Sequence, residues 1–122
     1  RQFEPTHIME NVVYNDLCRN GFSVDVGLVE SFKRDNNGKL TRRNLEIDFV
    51  VNRHDERLYI QSAYALPSKE KVDQEQASLL QVSDGFRKII IAGDHYSTGY
   101  NENGILVIGL YDFLLEKANI WK

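Results

Sequence analysis

A chain of 122 residues with 42% hydrophobic and 27% charged residues has the length of one domain and the apolar content for a core, which excludes a disordered or fibrous chain. Fifteen basic residues against eighteen acidic ones leave a net charge of -3, so no overall field draws the chain to nucleic acid or to an anionic membrane. The single cysteine, Cys18, excludes an internal disulfide and a cysteine-rich zinc knuckle and fits a reducing compartment, and no apolar run reaches the about 18 residues of a membrane span.

From Pro5 to Asn20, Ile8, Met9, Val12, Val13 and Leu17 follow helical spacing, and Gly21 stops the helix. Residues 22–32 alternate and are β-branched, Asn36, Asn37 and Gly38 form a turn, and residues 45–52 alternate again. That alternation points Leu45, Ile47, Phe49 and Val51 one way and Glu46, Asp48 and Val50 the other. A polar turn at His54–Arg57 leads to a strand over 58–66, and an antiparallel meander is the simplest connection of the three. Pro67 and Ser68 open a helix over 69–81, with Val72, Leu79 and Leu80 facing inward. The continuous apolar run 86–93 predicts a strand buried on both faces, and 94–104 is polar and glycine-bearing, hence a loop. A second buried strand over 105–110 and a short helix over 111–118 close the chain. The order αβββαβ followed by βα predicts an α/β fold with a mixed central sheet flanked by helices.

Acidic residues in unexpected places carry the functional argument. Asp48 lies between Ile47 and Phe49 in the most strand-like run. There a carboxylate either sits on a solvated face or serves as a metal ligand or charge-pair member. Gln61 and Ala63 share one face of the next strand, so Asp48 and Gln61 fall close together if the strands pair. Glu10 sits at the edge of the first helix's apolar stripe, where a solvated surface residue is the plain alternative.

The phrases HIMENVVYNDL, LEIDFV and YIQSAYALP together resemble the PD-(D/E)xK nuclease-like C-terminal domain of prokaryotic AAA-type ATPases of unknown function. The likeness runs from Thr6 to about Leu115 and implies a restriction-endonuclease-like αβββαβ core with an extra C-terminal strand and helix. It also implies that the whole chain, which opens on Arg1, is the C-terminal part of a longer cytoplasmic ATPase whose N-terminal ATPase domain is its partner. In such sites carboxylates from separate elements hold Mg or Mn, which activates a water, and a lysine stabilises the anionic transition state. Mapped by the resemblance, Glu10 and Asp48 match the first acids and the metal ligands. Gln61 stands where the second-strand acid is usual, and Ala63 stands at the usual lysine. Losing one transition-state donor costs roughly 10²–10³ in rate, so the resemblance implies a catalytically degenerate domain kept as a binding or regulatory module. Two alternatives stay open: an active metal-dependent nuclease with a lysine relocated to Lys69, Lys71 or Lys88, and a purely protein-interaction domain.

The turn region between Ser31 and Arg43 holds Lys33, Arg34, Lys39, Arg42 and Arg43 against Asp35 alone, a local balance of +4 in a net-acidic chain. Such an arm can contact the phosphates of nucleic acid without reading sequence. It can equally be a solvated tip that discourages edge pairing. No G-x-x-x-x-G-K-S/T occurs, so this chain carries no P-loop of its own. His7, His54 and His95 are too scattered for a zinc site, Cys18 has no histidine at local spacing, and the pair Asp94–His95 most simply decorates a turn.

Overall fold

A computed structural model describes residues 5–93, 98–115 and 120. Along the chain run α1 (Pro5–Arg19), β1 (Ser23–Arg34), β2 (Leu40–Arg53), β3 (Glu56–Ala63), α2 (Lys69–Leu80), β4 (Arg87–Ala92), β5 (Gly99–Tyr100), β6 (Leu106–Gly109) and α3 (Leu110–Leu114). The helix ends follow local chemistry. Gly21 takes the left-handed conformation after α1 (φ 85°), where a residue without Cβ is unstrained. The Ser68 hydroxyl accepts the Lys71 N–H at the start of α2, satisfying one of the free donors of the first turn.

The strands form one mixed sheet in the order β1-β2-β3-β4-β6-β5. β1, β2 and β3 are the antiparallel meander expected of them. β3, β4 and β6 run parallel, because α2 returns the chain across one face before β4 begins. Alternate residues of β4 divide between two cores. Ile89 and Ile91 pack with Met9, Val13 and Leu17 of α1 and Phe113 of α3. Ile90 and Ala92 pack with Leu79 of α2. This double burial explains why the run of three isoleucines shows no polar alternation.

Four expectations need correction. Ile8 and Val12 are exposed, because the residues that α1 buries against the sheet are Met9, Val13 and Leu17, a narrower i, i+4, i+8 seam. Leu80 is exposed while Leu79 is fully buried, since successive helical residues point about 100° apart. Gly99–Tyr100 pairs with β6 as a short edge strand inside the segment expected to be a loop, and two residues are too few to show a period. Residues 94–97 of that segment and 116–118 of the expected closing helix lie outside the described residues.

The fourth correction positions the candidate site. Ile47 packs on the α2 side with Val50 beside it, whereas Phe49 and Val51 pack on the α1 side. The alternation therefore flips within β2. Its cause is a bulge: Asp25 pairs with Val50 and Gly27 pairs with Ile47, so β2 uses one residue more than β1 over this stretch. An inserted residue sends everything before it to the opposite face. Gly27 is required there, because a Cβ would stand 2.7 Å from Cγ2 of Val50.

Candidate functional site

The bulge delivers Asp48 to the point where β2 parts from β3. Backbone pairing of the two strands ends at Phe49 and Ile60. One step further, two side chains carry the connection. The Asp48 N–H donates to Oε1 of Gln61 at 2.7 Å, and the Ser62 N–H donates to Oδ2 of Asp48 at 2.9 Å. Nε2 of Gln61 then donates to the carbonyl oxygen of Glu75 on α2 at 3.1 Å. Gln61 thus ties β2 and β3 to the helix above them, with both ends of its amide used.

Electrostatics follow from the same placement. Burial chiefly, with the Ser62 N–H pulling the other way and the charges of Glu10, Glu75 and Glu46 adding to it, raises the Asp48 carboxyl to about 6. Glu10, half-buried on α1, is thus near enough for its charge to bear on Asp48, though no hydrogen bond or ion pair joins it to Asp48 or Gln61 among the described residues. Ala63 is buried with Leu66 and Leu79 in the α2-side core. Its methyl group belongs to the packing and offers no polar function.

The three lysines considered as substitutes go to different places. Lys69 is exposed and lies 3.8 Å from Asp73 and 3.9 Å from Glu102. Lys88 pairs in register with Tyr59, away from Asp48, and donates to the carbonyl oxygens of Asp84 and Phe86 at 3.0 and 2.9 Å. Lys71 sits 3.0 Å from Oε2 of Glu75, the acid whose charge reaches Asp48. Lys71 is among the candidate lysines, whereas Glu75 and the Ser62 backbone are the members that sequence reasoning missed. The i, i+4 spacing of Lys71 and Glu75 marks an ion pair, but nothing in it says which end of the sheet the pair will face.

A divalent ion fits this arrangement poorly. One oxygen of Asp48 and the amide oxygen of Gln61 already accept backbone hydrogen bonds. Among the described residues no group of three or more His, Cys, Asp and Glu is placed to hold a metal.

The basic residues lie on a two-stranded arm. β1 and β2 pair from Gly27–Ile47 out to Arg34–Leu40, beyond the last β3 partner, Phe49. Alternation splits the cations between its faces. Lys33 and Arg43 share a face with Val29, Ser31 and Thr41, and Arg34 and Arg42 share the other with Phe32 and Leu40. Their commitments differ as well. Arg42 lies 3.7 Å from Glu30, and Arg34 donates to the Gly38 carbonyl at 2.8 Å. Lys33, Lys39 and Arg43 have no ion-pair partner among the described residues. Cys18 is an exposed free thiol, and Asp94–His95 lies outside the described residues.

No known protein-family profile matches the chain. It is 36% identical over 108 residues to an uncharacterised protein of Haemophilus influenzae, a match that covers 88% of the chain and 23% of the relative. The chain therefore spans under a quarter of the length of the curated relative it matches. Among the described residues no helix is long and apolar enough to cross a membrane.

Proposed function

We propose that this chain is a nuclease-like domain without cutting chemistry, which holds nucleic acid through its basic arm as a binding or regulatory module of a longer, cytoplasmic AAA-type ATPase. The observation that carries the reading is the reciprocal bonding of Asp48 and Gln61. The two positions that match a metal-dependent nuclease by resemblance are used here to fasten β2 to β3. The arm supplies a separate reason to hold a polyanion: Lys39 and Arg43 are exposed and uncommitted. The short span of the chain on its relative agrees with a module of a larger protein.

Fluorescence anisotropy with a labelled DNA duplex over a salt series tests this reading. Binding is expected to weaken linearly in log salt, and Lys39→Gln and Arg43→Gln are each expected to lower the slope by about 1. Plasmid incubated with Mg²⁺ or Mn²⁺ is expected to stay intact. Cleavage that Asp48→Ala or Lys71→Ala abolishes overturns the degenerate reading in favour of a working nuclease. Absence of binding at low salt overturns the nucleic-acid role and leaves a protein-interaction domain.

A further inference from the structure

The outer edge of β1 is the longest unpaired backbone among the described residues. β1 runs twelve residues from Ser23 to Arg34 and has β2 as its one neighbour in the sheet. It contains no proline, and its side chains on the α1 face include Val26, Leu28 and Phe32, exposed by 64%, 73% and 57%. A long apolar edge of this kind is a template for another strand. The sequence of β1 also specifies which strand fits. Placed antiparallel to itself with Val29 opposite Val29, it sets Asp25 opposite Lys33 and Val26 opposite Phe32, each pair occurring twice by the two-fold symmetry. Asp25 and Lys33 lie on one face of the sheet and Val26 and Phe32 on the other, so both pairings respect the pleat. Cross-strand pairs of opposite charge and of apolar with aromatic residues are the stabilising kind. This register also sets Leu28 opposite Glu30, but centring on Glu30 instead would set two carboxylates against each other, and centring on Leu28 would set Asp25 opposite Ser31 and lose the charge pair. Neither Asp25 nor Lys33 has an ion-pair partner within its own chain among the described residues.

We infer that two copies of this chain associate through an antiparallel β1–β1 pairing centred on Val29, joining their sheets into one. The interface is isologous and closes on itself, so it yields a dimer and not a filament. It does not rest on the nucleic-acid reading, and it leaves Lys39 and Arg43 uncommitted while engaging Lys33.

Sedimentation velocity of the 122-residue chain over a concentration series tests the inference. The mass is expected to rise from 14.1 kDa towards twice that value. Asp25→Lys and Lys33→Asp are each expected to weaken self-association roughly tenfold, because two attractive pairs become two repulsive ones. Both side chains are exposed, so the fold, followed by circular dichroism, stays intact. The double variant Asp25→Lys/Lys33→Asp restores the opposite-charge pairs and is expected to recover the dimer. A chain that remains monomeric at every concentration overturns the inference. So does a double variant as weak as the single ones, which would show association by another surface.

Discussion

β2 passes through two polar neighbourhoods of opposite character. In its outer half the basic residues project from an exposed ribbon, and two of the five are tied only to their own arm. In its middle, within a few residues, Asp48 and Gln61 have lost most of their contact with water and their hydrogen bonds are directed to named backbone groups. The difference lies in what each region leaves available. A ribbon with uncommitted cations can be re-used by a partner at little cost to the fold. A buried polar junction cannot, because each of its groups is the other's substitute for water. Acidic and amide residues in such a junction can therefore serve stability, while the adjoining arm leaves exposed cations without a commitment to the fold.

The largest effect should come from removing the shared member of the junction. Gln61→Ala leaves the Asp48 N–H and the Glu75 carbonyl without their partners, and an unsatisfied buried group costs about 1–3 kcal/mol. Urea unfolding of the variant should show a loss of about 3 kcal/mol. A loss below about 0.5 kcal/mol would mean that water replaces the amide freely and that the junction is no more structural than the arm.

Asp48→Asn probes the same junction through charge. The folded carboxyl is raised from 3.8 to about 6. Between those values the folded chain holds more protons than the unfolded one, so the Asp48 contribution to stability falls as pH rises and is constant above about 6. Asparagine keeps an oxygen for the Ser62 N–H without the charge. The variant should be more stable than the parent at neutral pH by about 1–2 kcal/mol, a figure reduced for partial exposure. It should also lose the decline between pH 3.8 and about 6. A variant less stable than the parent at pH 7 would indicate that the ionised form is the one the site was built for, as a working metal site requires.

The sequence reading recovered the main elements and the antiparallel start of the sheet, because hydrophobic period and Gly, Pro and Ser punctuation are local signals. It also singled out Asp48 as anomalous in its strand. What it could not see was the flip between Ile47 and Phe49. Both residues are buried, so a strand that changes faces at Asp48 has the same hydrophobic pattern as one that does not, and the extra residue shows only against β1. The partner groups were hidden for a similar reason. Ser62 acts through its backbone N–H and Glu75 partly through its carbonyl, and neither leaves a side-chain signature. The split of the arm's cations follows from the register set by the turn, and the local balance of +4 carries no face information.

The smallest effect is expected beside the largest, and it separates the two roles of one residue. Ser62 contributes its N–H to Asp48, while its hydroxyl is buried with no hydrogen-bond partner among the described residues. The neighbouring Ile60 packs on the α1 side with Val13, and alternation puts the Ser62 side chain on that same face. A hydroxyl without a partner there has lost its water and gained nothing in exchange. Ser62→Ala keeps the N–H and its bond to the carboxylate and removes only the stranded oxygen. Urea unfolding should show a gain of about 0.5–1 kcal/mol, with the pH dependence assigned to Asp48 unchanged. A loss of stability, or a shifted pH profile, would show that the hydroxyl has a partner in solution and takes part in the junction, and the division between structural backbone and silent side chain at this residue would fail.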